Sequence, residues 1–184
     1  MKSVRPPTRA VFIDRDGVLI RDADYLGSVT GLRVLRGAPQ ALKLLRKAGF
    51  KVVVITNQSG VARGYFTMKD VRAVHAELKR RLAKDGARWD AIYVSPHGPE
   101  SKHAWRKPGT GMLLAAKRRF KLDFKSSYLI GDKTSDIECA RRAGCVSILV
   151  RTGKGGRDRA YKAKPNVIKR DVLAAVRWIV ARGQ

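Results

Sequence analysis

Acidic residues are scarce in this chain. Only 15 Asp and Glu stand against 40 Lys and Arg, a formal net charge of +25 over 184 residues. Such a balance favours anionic partners, whether nucleic acid, anionic lipid or phosphorylated metabolites. No run of about 18 apolar residues occurs, so no membrane-spanning helix is expected. The N-terminus, MKSVRPPTR, is basic but has no apolar segment behind it, and does not read as a secretory signal. There are two cysteines, Cys139 and Cys145, without CxxC spacing or a partner set. They exclude a disulfide framework and read as buried reduced thiols of a cytoplasmic protein. Aromatic residues make up 7% and are scattered, which leaves no array for stacking successive bases.

What remains is a chain with 44% hydrophobic residues, enough for one sizeable core. AVFID, FKVVVIT, WDAIYVS, SSYLIGD and CVSILV read as strands, rich in β-branched residues. Between them, APQALKLLRKAG, TMKDVRAVHAELKRRLAKDG, TGMLLAAKRRF and SDIECARRAG repeat apolar residues at helical spacing, and DVLAAVRWIVARG makes a terminal helix. Thr67 with Asp70 three residues on forms a capping-box pattern. The alternation predicts an α/β fold: a Rossmann-like, doubly wound, mostly parallel sheet with helices on both faces. A single domain is expected over 1–184, with its core at about 9–153 and a basic tail and terminal helix at 154–184. The stretch from about Gly153 to Pro165 reads as a linker.

In such folds the ligand lies beyond the carboxyl ends of the strands. The first strand ends in Asp14-Arg15-Asp16-Gly17, the second in Thr56-Asn57-Gln58-Ser59-Gly60. The third leads through a loop to Arg106-Lys107-Pro108, and the fourth ends in Gly131-Asp132-Lys133, with Asp136 beyond. Together they bring carboxylates, a hydroxyl, backbone amides and a lysine to one edge. That inventory suits phosphoryl transfer, which needs an in-line nucleophile and positive charge around the phosphate oxygens. Converging carboxylates also need a cation between them, and hard oxygen ligands suit Mg²⁺.

On these motifs the chain resembles the haloacid dehalogenase superfamily of phosphatases. The longer stretches DRDGVLIRDADYL, VVVITNQSGVARGYF, RKPGTGML, IGDKTSDIECARRAG and LVRTGKG are similar to its heptose 1,7-bisphosphate 7-phosphatases and histidinol phosphatases. The resemblance implies that Asp14 is the nucleophile, forming an aspartyl-phosphate, and that Asp16 is the acid and base. It implies Mg²⁺ held by the Asp14 carboxylate, the Asp16 backbone carbonyl and Asp132. Thr56 and the Asn57 amide would hold the phosphate, and Lys107 would offset charge. Arg15, Asp22, Tyr25, Gln58, Ser59, Arg106 and Lys133 are the further candidates for contacting substrate. Asp136 is expected behind the metal ligands or as a helix-capping acid. No large cap domain fits between these motifs, so the site should be open.

One feature of the subgroup is missing. Its zinc loop carries a Cys-x-His pair and then Cys-x-Cys, whereas SPHGPESKHAWRKP has Ser95, His97, His103 and Trp105 at those places. A serine, an indole and two histidines do not close a structural zinc site, so no zinc is expected. Packing of Trp105 and the fixed φ of the prolines are expected to stiffen the loop. The partner expected is a small phosphorylated metabolite. The runner-up is a nucleic-acid 3′-end, because the phosphatases attached to polynucleotide kinases share TNQ-x-G-x-x-RG and an RKP-x-TGM-like segment. Histidinol phosphate is a third alternative. The oligomeric state is open, with a monomer favoured.

Overall fold

Successive side chains of a strand face opposite ways, and the first strand, β1 (Ala10–Asp14), is buried on both faces. Val11 and Ile13 join one apolar cluster, while Ala10 and Phe12 join another. A strand with two dry faces needs helices on each side, and that requirement shapes the whole fold.

A computed structural model describes residues 7–182; the first six residues of the basic N-terminal segment lie outside it. Five more strands follow β1: β2 (Lys51–Asn57), β3 (Ala91–Ser95), β4 (Tyr128–Gly131), β5 (Val146–Val150) and β6 (Val167–Lys169). The helices are α1 (Ala38–Lys47), α2 (Met68–Lys84), α3 (Gly111–Phe120), α4 (Thr134–Ala143) and α5 (Val172–Arg182). The sheet runs β3-β2-β1-β4-β5-β6, with every neighbouring pair parallel. One face is covered by α1, α2 and α5 through residues such as Leu42, Leu78 and Val176. The other is covered by α3 and α4 through Met112, Leu113, Cys139 and Ala140. Fully burying a side chain of the Leu or Phe class contributes about 1.5–3 kcal/mol, so the two layers hold the sheet rigid beneath its loops.

Chain order reverses at β1: the chain passes to β2 and β3 on one side, then returns to β4 on the other. That places the switch point, where open parallel sheets bind ligands, between the ends of β1 and β4. Local chemistry fixes the helix starts nearby. Thr67 Oγ1 accepts from the Asp70 amide, and Asp70 Oδ2 accepts from the Thr67 amide, the capping box expected from the sequence.

The tail carries more of the fold than a terminal helix. β6 forms inside it and extends the sheet beside β5, and Val172, Ala175, Val176 and Ile179 of α5 are core residues. The presumed linker is also tied down: Asp158 accepts hydrogen bonds from the Thr134 amide (2.9 Å) and hydroxyl (2.6 Å) at the start of α4. Both cysteines are free and buried, as expected. Among the described residues, no helix is long and apolar enough to cross a membrane.

Candidate active site

Asp14 is the last residue of β1, and its side chain turns into the gap that the switch point opens. Lys107 reaches it from the loop before α3. Its Nζ donates to Asp14 Oδ1 at 2.7 Å and lies 2.6 Å from Asp136 Oδ1. The Asp136 contact is an ion pair without good hydrogen-bond alignment, since that oxygen has no hydrogen-bond partner. Asp136 is anchored through Oδ2, which accepts from the Lys133 amide at 3.1 Å and caps α4. Asp136 thus caps α4 through one oxygen and faces Lys107 with the other.

Asp132 follows β4 and completes the acidic cluster. Asp14, Asp132 and Asp136 can each offer a carboxylate oxygen within 4.8 Å of the others. Asp132 Oδ2 accepts from the Lys154 amide at 2.6 Å, whereas Oδ1 is buried without a partner. Burial, with Asp14 and Asp136 adding like charge, pushes the Asp132 carboxyl up to about 8. Burial likewise lifts Asp14 to about 6, against the pull of Lys107. Burial disfavours the Lys107 ammonium, but Asp136 and Asp14 outweigh it and hold the charge in place. Lys107 thus pairs with two of the three crowded carboxylates, Asp132 has no ion-pair partner among the described residues, and Asp132 Oδ1 and Asp136 Oδ1 are buried without a hydrogen bond. This is the electrostatic deficit a divalent cation would fill, so the donor set fits Mg²⁺.

The backbone makes room for this crowding. Gly17 has φ +79° and Gly153 has φ +59°, and a Cβ on either would collide with the Asp132 carboxylate. These glycines allow the Asp14 turn and the Gly153–Lys154 turn to close on Asp132 from two sides.

Asp16 is held differently from Asp14. Arg15 Nε and Nη2 grip its two oxygens at 3.1 and 2.9 Å. Gln58 Nε2 and Thr56 Oγ1 add hydrogen bonds to Oδ2 at 2.9 and 3.3 Å. Burial would raise this carboxyl, but the Arg15 charge and hydrogen bonds, helped by Gln58, carry it below the usual carboxylate range. Arg15 itself is fully buried, and it grips Asp16 at the wall of a wider pocket. Thr56 is equally buried, and its hydroxyl also accepts from Gln58 Nε2 at 2.7 Å.

Other sequence candidates fall into separate places. Asn57 uses its side chain to clamp the Lys107 backbone, accepting from the amide at 3.1 Å and donating to the carbonyl at 3.2 Å. Asp14, Asp16, Asn57, Lys107, Lys133 and Ser135 line a notch of about 30 Å³. Beside it lies a pocket of about 140 Å³ that shares Asp16, Asn57 and Lys133 and adds Asp22, Tyr25, Gln58 and Ser59. Arg106 instead donates to the His97 carbonyl at 2.9 Å and borders a distinct cleft with Lys102, His103, Arg142 and Tyr161.

Several residues around the site are not announced by the motifs. The Lys154 amide lay in what looked like a linker, although Gly153, Gly155 and Gly156 signalled a tight turn. Phe66 lines the wider pocket, and Tyr65 packs edge-on at 4.9 Å against Tyr25, which also lines it. His75 sits on α2 and contacts Arg15; nothing in the helical pattern distinguishes it from a core residue.

The loop that lacks zinc-ligand cysteines is held by its own contacts. His97 and His103 stack at 3.8 Å, and the Trp105 amide donates to His103 Nδ1 at 3.1 Å. The Trp105 ring meets Tyr93 edge-on at 5.9 Å, and the Gly111 amide donates to the Ala104 carbonyl at 2.8 Å.

Two family models match the chain, one described as haloacid dehalogenase-like hydrolase over residues 11–80 and one as HAD-hydrolase-like over 104–175. A D-glycero-D-manno-heptose-1,7-bisphosphate 7-phosphatase of Thermosynechococcus vestitus is 42% identical, covering 94% of this chain and 96% of the relative. The D-glycero-beta-D-manno-heptose-1,7-bisphosphate 7-phosphatase of Pseudomonas putida is 36% identical, covering 91% and 97%. Among solved structures, the D,D-heptose 1,7-bisphosphate phosphatase of B. bronchiseptica, complexed with magnesium and phosphate, superposes with a TM-score of 0.88 at 34% identity. That match covers 95% of this chain and 99% of the other. The six-stranded parallel sheet, the carboxylates gathered at its switch point and these relatives agree: the chain belongs to the haloacid dehalogenase-like hydrolases, among their phosphatases.

Proposed function

We propose that this phosphatase removes the 7-phosphate of a D-glycero-D-manno-heptose 1,7-bisphosphate. The observation that carries the reading is the pairing of a small charged notch at Asp14 with a wider polar pocket beside it. The notch suits a phosphoryl group and the pocket a hydroxylated sugar. Relatives covering over nine-tenths of the chain are named for this substrate.

In this reading an Asp14 oxygen attacks phosphorus while the bond to the sugar oxygen breaks. The electron pair leaves with that oxygen, which takes a proton from Asp16. Asp16 is ionised in the substrate-free site, and an incoming phosphate dianion favours its protonation by like-charge repulsion. Water then attacks the aspartyl-phosphate, Asp16 accepts the water proton, and Asp14 leaves with its electron pair. Lys107 keeps Asp14 ionised and unable to swing away. Thr56 would give its hydroxyl hydrogen bond to phosphate, leaving Asp16 Oδ2 held by Arg15 and Gln58. Mg²⁺ would be held by the Asp14 and Asp132 carboxylates and the Asp16 carbonyl, and would offset the charge shared by nucleophile and phosphate. Asp22, Tyr25, Ser59 and Lys133 would meet the sugar.

The test is a panel of phosphate esters with Mg²⁺: heptose bisphosphate, histidinol phosphate, simple sugar phosphates and a 3′-phosphorylated oligonucleotide. Heptose bisphosphate is expected to show the highest kcat/KM. A higher value for the oligonucleotide or for histidinol phosphate would overturn the assignment.

A further inference from the structure

Among the described residues, Arg15 is the largest fully buried side chain that carries a charge. A buried guanidinium has five N–H donors to satisfy, and leaving them unpaired is costly. Nε and Nη2 are spent on Asp16, and Nη1 lies 2.9 Å from His75 Nε2. Because arginine only donates, His75 Nε2 must accept, which makes His75 the neutral Nδ1–H tautomer. Burial first, then the Arg15 charge, push this imidazole down to about 4, so the acceptor persists at neutral pH. His75 faces inward on α2, between Val71, Val74 and Leu78, all buried, and so stands on a rigid support.

This arrangement treats the two Asp16 oxygens unequally. Oδ2 takes Arg15 Nε, Gln58 Nε2 and Thr56 Oγ1, while Oδ1 takes Arg15 Nη2 alone. A carboxylate oxygen has about two lone-pair sites, so Oδ2 is saturated and Oδ1 keeps one free. We propose that His75 and Arg15 are positioning residues for the acid–base step: His75 fixes the Arg15 guanidinium, and Arg15 fixes the Asp16 carboxylate so that Oδ1 is the atom that exchanges the proton. The inference rests on Asp16 serving as acid and base, but not on the identity of the sugar. In the second half-reaction the water O–H bond breaks toward Oδ1 as the water oxygen bonds phosphorus. The phosphorus bond to Asp14 breaks in the same step, and its electron pair returns to that carboxylate.

The test uses p-nitrophenyl phosphate, whose leaving group departs without a proton and needs no sugar subsite, in wild type, His75→Leu, His75→Gln and Arg15→Gln. Failure of the heptose assignment would leave this assay intact. A misplaced base should slow hydrolysis of the phospho-enzyme, so His75→Leu is expected to lower kcat about tenfold without raising KM, and Arg15→Gln about a hundredfold. A burst of one p-nitrophenolate per active site should appear in both. His75→Gln, which restores an acceptor for Arg15, should recover kcat to within about threefold of wild type, as positioning by a single hydrogen bond requires. Unchanged kcat in His75→Leu, a fall in kcat with raised KM and no burst, or a His75→Gln no better than His75→Leu would each overturn the proposal.

Discussion

Lys107 Nζ and Asp14 Oδ1 meet at 2.7 Å although 93 residues separate them in the chain. Neither partner is replaceable in place, because the same ammonium also faces Asp136 and both carboxylates are dry. Lys107→Met should therefore reduce phosphatase kcat by at least about a hundredfold. It should also lower stability by about 3–5 kcal/mol, the usual cost of stripping one partner from a buried ion pair. Thermal melts at pH 7.5 and steady-state rates check both outcomes. Lys107→Arg should not rescue, since a planar fork does not fit a site built around a compact ammonium.

Asp16→Asn keeps the size of the side chain and loses the proton exchange. Its kcat should fall about 10²- to 10⁴-fold. Inorganic phosphate or vanadate should still bind within about threefold of wild type by calorimetry, because Thr56, Lys107 and Lys133 remain. A large loss of affinity would show that Asp16 acts by holding the phosphate.

The metal-free protein should respond to pH through Asp14 and Asp132, whose carboxyls are lifted to about 6 and about 8 from an ordinary 3.8. A carboxyl raised in the folded state binds its proton more tightly there than in the unfolded chain. Its stabilising contribution is full below the unfolded value and is lost as pH rises through the folded one. The loss should run from about pH 4 to about pH 8 by this linkage. His75 opposes it over part of the range: its value falls to about 4, so its contribution is present above 6.5 and lost as pH falls. The difference between melts with and without Mg²⁺ removes the His75 contribution. That Mg²⁺-induced rise in Tm should be larger at pH 8 than at pH 5.5, because protons and the cation compete for the same oxygens. An Asp132→Asn variant should lose most of this difference.

The loop from Ser95 to Lys107 should hold without zinc. A zinc-selective chelator, with Mg²⁺ kept saturating, should leave Tm unchanged, and elemental analysis should find no stoichiometric zinc. Trp105→Ala should destabilise by about 1–2 kcal/mol, less than a fully buried aromatic, because it removes the edge contact to Tyr93. One zinc per chain would implicate His97 and His103 instead.

Much of this architecture is legible in the sequence because it is written in local periods. The five longer strands, the Thr67–Asp70 cap and the sites at the strand ends all follow from alternation, capping chemistry and the switch-point rule. The three residues of β6 carry too little pattern to announce a strand, and pairing with β5 makes one of them. The glycines around Lys154 announce a tight turn, but not that its amide donates to Asp132, a backbone contact made across the fold. Arg15 lines the wider pocket, while its guanidinium is also tied to Asp16 and to His75, an acceptor 60 residues away on α2 that the motif does not announce. The Asn57 side chain is likewise committed to the Lys107 backbone, a partnership set by folding and not by spacing.

The most direct test of the account follows both phosphates of heptose 1,7-bisphosphate by ³¹P NMR, with wild type and Asp14→Asn, in the presence of Mg²⁺. The 7-phosphate signal should convert to inorganic phosphate while the 1-phosphate remains. Asp14→Asn should slow this by at least about a thousandfold, as loss of a nucleophile does. Wild-type rates in Asp14→Asn, or release of the 1-phosphate in preference to the 7-phosphate, would contradict it.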